Sequence, residues 1–116
     1  MTDGRDAKKT FTYEEAVALF PTVQHITANA VNRVTTLLDG KSFESVEEIP
    51  DDLIANYNDV VSEWTEAITD LGIEVKGLWL IDFDSGSGYY CWRYPEPALE
   101  HFHSYEDGFS GRVKLN

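Results

Sequence analysis

Residues 78–94 read LWLIDFDSGSGYYCWRY, two runs of strand-forming residues around a flexible polar centre. Leu78-Trp79-Leu80-Ile81-Asp82-Phe83 is apolar except for one carboxylate, and Tyr89-Tyr90-Cys91-Trp92-Arg93-Tyr94 is strongly aromatic. Aliphatic and aromatic side chains of this kind suit a pleated surface, whereas Asp84-Ser85-Gly86-Ser87-Gly88 holds only turn formers. The pattern predicts an antiparallel β-hairpin, ended by Pro95-Glu96-Pro97. The tail from Ala98 to Asn116 contains Gly108 and Gly111 and is too broken for a long helix. It is expected to be irregular, with one short strand at Val113 to Leu115.

Upstream of the hairpin the apolar period lengthens to three and four. Thr12 and Glu15 have the spacing of a capping box, with Phe11 before the cap. Val17, Phe20, Val23, Thr27, Ala30, Val34 and Leu37 or Leu38 then form one stripe. Pro21 lies inside it and is expected to kink or divide the helix, because it lacks the N–H that would bond the carbonyl of Val17. Asp39-Gly40 closes this helix. Lys41 to Pro50 reads as a loop, with room for one helical turn that docks Phe43, Val46 and Ile49. Pro50-Asp51-Asp52 opens a second helix, with either Asp as its cap, and Ile54, Tyr57, Val61, Trp64, Ile68 and Leu71 form its seam as far as Gly72.

The fold class is therefore α+β: a kinked antiparallel helical hairpin packed with a small antiparallel β-hairpin and an irregular C-terminal tail. Residues 1–10 are polar and aperiodic and are expected to be a flexible lead-in to a single domain over 11–116. Two helices alone leave half of each stripe uncovered. Either the rest of the chain covers it, or a second copy does, which predicts a homodimer through the helices.

A length of 116 residues suits one domain, and three Trp, six Tyr and six Phe are enough for a core. Twenty-one Asp and Glu against nine Lys and Arg give a net charge of -12, a surface that repels phosphate backbones and anionic lipid. Nucleic-acid and membrane binding are thereby disfavoured, and adaptation to a salty cytoplasm is an equally good reason for the acidity. No apolar run has the length of a membrane span, and the opening residues do not read as a signal peptide. The single cysteine, Cys91, has no partner for an internal disulfide. A cytoplasmic protein is expected.

Three separated segments, FTYEEAVALFPTV, DFDSGSGYYCWRYPEP and HFHSYEDGFSGR, carry a resemblance. Together they closely resemble the DUF2203 family, small prokaryotic proteins of undefined function, over Phe11 to Arg112. The matching positions are Asp82, Phe83, Cys91, Trp92, Arg93, Glu96, Pro97, His103, Gly108, Phe109, Gly111 and Arg112. Tyr90, Pro95, Phe102 and Ser104 depart from the family pattern. Ser104 stands where an acid is common, and the nearest substitute is Glu106. The resemblance implies positions rather than a role.

Those positions contain ligand-type atoms. Asp82, Cys91, His103 and Glu106 are the candidate set for zinc or another divalent metal, with Cys, His and carboxylate donors in tetrahedral arrangement. The same four residues are the candidate catalytic set, in which a metal lowers the pKa of a bound water and Arg112 receives an anionic substrate. Arg93, Glu96 and Arg112 form a candidate anion site or structural clamp. No CxxC or HExxH spacing supports a metal. Simpler roles are open: Cys91 as a small buried hydrophobe, Asp82 paired with Arg93 or Arg112, His103 on a core carbonyl or stacked on Trp92, Phe109 as a core plug. Cys91 as a nucleophile with His103, or as a redox sensor, is a further possibility, and His101 and His25 are weaker candidates. The leading functional expectation is a small soluble oligomeric interaction or structural protein, with a protein partner among its possible ligands. The alternative is a metal-assisted hydrolase or small-molecule-binding protein with its site in the C-terminal third.

Overall fold

The structure is a computed structural model and describes residues 9–39, 41 and 45–115, the Val46 side chain excepted. Among these residues, helix α1 (Tyr13–Leu37) and helix α2 (Asp51–Asp70) precede five strands. These are β1 (Glu74–Gly77), β2 (Leu80–Asp84), β3 (Tyr89–Arg93), β4 (His101–His103) and β5 (Val113–Lys114). Short 3-10 turns lie at Val46–Glu48 and Phe109–Gly111. The strands form one antiparallel sheet in the order β1-β2-β3-β4-β5. The α+β class holds, and the expected hairpin is the centre of this meander. The expected lead-in lies outside the described residues for positions 1–8, as do Gly40 and Phe43.

The Thr12 hydroxyl accepts from the Glu15 amide, and the Glu15 carboxylate accepts from the Thr12 amide, which completes the capping box. α1 runs unbroken through Pro21. Its buried face is Ala16, Phe20, Val23, Thr27 and Ala30, a strict four-three alternation. Val17 stands one position off that phase and is 43% exposed, so Ala16 takes the place expected for it. In α2 the cap position belongs to Pro50, with Asp51 and Asp52 inside the first turn, where they favour the helix dipole without capping. Tyr57, Val60, Trp64 and Ile68 are its buried residues, Val60 replacing Val61. The Trp64 indole donates to the Thr27 hydroxyl at 2.9 Å inside the helix interface. Ile49, in the connection, docks with Leu38 and Tyr57 in a small second cluster.

The helices bury these faces against the sheet. Ile81, Phe83 and Trp92 join Phe11, Phe20, Val23, Trp64 and Ile68 in the main core. Register fixes which side each residue takes: Ile81 pairs with Trp92, and Phe83 with Tyr90. Alternation then turns Asp82, Asp84, Tyr89, Cys91, His101 and His103 to the outer face, away from the helices. The sheet thus packs on the buried faces of both helices.

The first strand of the expected hairpin is two residues shorter than its apolar run. Leu78 and Trp79 make the turn from β1 to β2, with Trp79 at φ 60°. A bulky residue in that region costs about 1–2 kcal/mol. The Trp79 ring, 4.8 Å from that of Trp64 in a T-shaped contact, offsets it.

Candidate functional site

The outer face of the sheet would be open were it not for the segment after β4. Residues 104–112 fold back over it. The Tyr105 hydroxyl donates to Asp84 at 2.6 Å, and its ring stands edge-on to Tyr89. Arg112 donates through both Nη atoms to Glu96, at 3.0 and 2.7 Å. Beneath this cover Asp82, Cys91 and His103 are 2%, 1% and 4% exposed.

Three neighbouring strands bring them together. Asp82 and Cys91 are direct partners in the β2–β3 register and so share one face of the sheet. His103 pairs with Tyr89 at the end of β4 and reaches across to Asp82. One donor atom from each of Asp82, Cys91 and His103 lies within 4.8 Å of the others. This is the set named from sequence without Glu106. That residue is exposed on the turn after β4, where the Asp107 amide bonds the Ser104 hydroxyl.

The tautomer of His103 follows from its surroundings. Its Nδ1 lies 2.7 Å from the Ser104 carbonyl oxygen. A carbonyl only accepts, so Nδ1 carries the proton and Nε2 is directed at Asp82 Oδ2, 3.1 Å away. Metal-bound histidines are oriented in the same way, one ring nitrogen donating to a carbonyl and the other free to coordinate. The second carboxylate oxygen, Asp82 Oδ1, is buried with no hydrogen-bond partner. A buried acceptor left unpaired is costly and asks for a proton or a cation.

Electrostatics agree with that geometry. Burial pushes the Asp82 carboxyl up, opposed first by Cys91 and then by His103. Burial, reinforced by the Asp82 charge, pushes the Cys91 thiol up to about 12, with Arg112 acting the other way. Without a cation, Cys91 is a neutral thiol at physiological pH, shielded from solvent. A divalent ion would reverse this, because a coordinating thiol is deprotonated outright. The residues therefore fit zinc or a similar ion: one sulfur, one imidazole and one carboxylate, with a ligand position to spare.

Several expected pairings resolve differently. Asp82 meets His103 rather than Arg93 or Arg112. His103 lies beside Tyr89, 5.4 Å between ring centres, rather than on Trp92. Phe109 is 37% exposed and serves as a platform for Arg112 at 4.1 Å and Arg93 at 5.5 Å, not as a core plug. The Arg112–Glu96 clamp forms as expected. Burial opposes ionisation of Glu96, but Arg112 and the Arg93 amide hold its carboxyl below the usual range. His101 pairs with Cys91 across β3–β4 and comes within 3.9 Å of Glu96, while His25 is exposed on α1 beside Asn29. Sequence reasoning missed the Ser104 carbonyl, Tyr89 and Tyr105. No side-chain pattern could mark a carbonyl, although the two tyrosines stand in the segments already singled out.

No helix among the described residues is long and apolar enough to cross a membrane. No curated protein and no solved structure matches the chain. A family model described as an uncharacterized conserved protein matches residues 9–115, which include every residue of the cluster, of its clamp and of its cover, and the chain belongs to that family, DUF2203.

Proposed function

We propose that this protein binds one divalent transition metal, zinc foremost, through Asp82, Cys91 and His103, and that the ion fastens β2, β3 and β4 together. The observation that carries this reading is the orientation of His103, whose Nδ1 proton is committed to Ser104 and whose Nε2 faces a carboxylate with an unpaired buried oxygen. The role is structural, because no donor is more than 4% exposed. The spare ligand position favours the second reading, metal-assisted hydrolysis or small-molecule binding, which needs the 104–112 cover to open. In either reading the protein is a small domain whose outer polar network sets its conformation.

Cytoplasmic location is supported by the free, buried thiol of Cys91. A homodimer through the helices would rest on Tyr13 and Val17, the exposed large apolar residues of α1. A protein partner would use the same kind of surface.

Elemental mass spectrometry of the purified, untagged protein tests the metal reading. About one equivalent of zinc or another transition metal, lost in Cys91→Ala and His103→Ala, supports it. Protein that stays folded yet neither carries nor takes up such an ion contradicts it.

A further inference from the structure

Asp82, Cys91 and His103 supply three donors, whereas a closed structural zinc site has four. Most other acidic groups on or beside this face of the sheet are committed elsewhere. Asp84 accepts from the Tyr105 hydroxyl at 2.6 Å and from the Gly86 amide at 2.9 Å. Glu74 accepts from the Tyr89 hydroxyl and pairs with Lys76, both at 3.1 Å. Glu96 is held by Arg112 at 3.0 and 2.7 Å and by the Arg93 amide at 2.9 Å. His101 differs from all of these. Its Nδ1 is buried and has no hydrogen-bond partner. Glu96 Oε1 stands 3.9 Å from it, beyond hydrogen-bond range, and already accepts from Arg112 and the Arg93 amide.

The register places His101 beside the three donors. Cys91 has two direct cross-strand partners, Asp82 on β2 and His101 on β4. Facing residues of an antiparallel pair have Cβ atoms about 4.5–5.5 Å apart. Cys91 is therefore flanked by Asp82 on one side and His101 on the other. Along β4, His101 and His103 stand two positions apart, so both rings rise from the same face. Turning the His101 ring toward Cys91 breaks no hydrogen bond at Nδ1. Burial also favours an imidazole as the fourth donor. The Cys91 thiolate and the Asp82 carboxylate together neutralise a divalent ion, and a neutral ring keeps the balance. Another carboxylate would leave a net charge out of water.

We propose, resting on the metal reading above, that His101 is the fourth ligand, so that the ion is held by Asp82, Cys91, His101 and His103 in one closed tetrahedral set. Among the described residues, the buried side-chain polar atoms without a partner are Asp82 Oδ1 and His101 Nδ1, and both then belong to ligands of the same ion. The arrangement also gives β4 a task out of proportion to its three residues, since it contributes two of the four ligands. With the fourth position filled from the chain, no place remains on the ion for a water or a substrate. A closed set of this kind serves structure, whereas hydrolysis needs the open position.

The histidine ring nitrogens report on this directly. Full-length wild type carrying isotopically labelled histidine is freed of metal and titrated with zinc, and its rings are followed in proton–nitrogen correlation spectra. The chain has three histidines, His25, His101 and His103, and His25→Gln and His101→Gln assign their signals. At one equivalent of zinc, His101 and His103 are each expected to show one coordinated ring nitrogen, while His25 on α1 stays unmoved. A ring that only supports its neighbours would not take on that signature. His101→Gln is expected to weaken zinc binding by more than the about 100-fold that an outer-sphere partner is worth. Zinc uptake to which only His103 responds overturns the proposal and leaves the metal reading intact, as does wild-type affinity in His101→Gln. The number of responding rings is read on wild type, with the exposed His25 assigned by its own variant, so the test survives if His101→Gln does not fold. Wild-type protein that takes up no zinc overturns the metal reading itself, a result distinct from both.

Discussion

His103→Ala in metal-free protein is expected to cost far more stability than Asp82→Asn. The difference follows from what each change leaves behind. Removing the imidazole strands a carboxyl that is 2% exposed and already has one unpaired oxygen. Breaking a buried pair from one side costs about 3–5 kcal/mol. For a chain of this size that is a fall in Tm of roughly 12–20 °C. Asp82→Asn instead keeps the contact, because the new amide can turn either its oxygen or its N–H toward His103 Nε2, 3.1 Å away. It also removes the buried charge, so its cost should stay within about 1 kcal/mol. The pH dependence separates the variants further. Burial raises the Asp82 carboxyl above its ordinary 3.8, so its contribution is fully present below that pH and is lost as pH rises through the raised folded value. His103 opposes that rise, so the penalty of His103→Ala should be smallest near pH 4 and grow above it. Urea unfolding of both variants and the double variant, with chelator present, gives the coupling directly. Equal costs for the two single variants, or a penalty that does not change with pH, would refute the reasoning.

Further consequences can be measured on the same material. Thr27→Val leaves the Trp64 indole N–H unpaired in the helix interface and should cost about 1–3 kcal/mol by urea unfolding. Cys91 in the folded, metal-free protein should resist a thiol reagent at pH 8 and react at once in denaturant, being 1% exposed with its thiol raised to about 12. The stability carried by that raised thiol is intact below 9.0 and lost toward about 12, so Cys91→Ala should show a shallower decline over this alkaline range. A Cβ at Gly88 would run into the Phe102 ring and come within 2.8 Å of the His103 carbonyl. Gly88→Ala should therefore push β4 away, cost about 1–3 kcal/mol, and weaken zinc binding more than it lowers Tm, as read by competition with a chromophoric chelator.

How much of this was legible in the sequence depends on the reach of each interaction. The Thr12–Glu15 box spans three residues and was readable at once, as was the β2–β3 hairpin with its glycine-rich turn. The phase of α1 was off by one at its start, because Ala16 is less conspicuous than Val17 although it buries completely. β1 was missed since Glu-Val-Lys-Gly has the charges of an edge strand and little apolar signal. β4, only His-Phe-His, is too short for its alternation to stand out. Missing β4 hid the pairing of Asp82 with His103, which lie 21 positions apart and meet only through β3. Hence the arginines looked like the better partners for Asp82. Cys91, Asp82 and His103 could be named as donor types, but their convergence needed the register. The exclusion of Glu106 needed the turn after Ser104.

The ligand set itself is the central claim, and X-ray absorption at the zinc edge of protein loaded with one equivalent reads it most directly. The account predicts one sulfur at about 2.3 Å and the remaining nitrogen and oxygen ligands at about 2.0–2.2 Å, with the sulfur shell lost in Cys91→Ala. A shell of oxygens and nitrogens alone in the wild type, or a sulfur shell that survives Cys91→Ala, would contradict it.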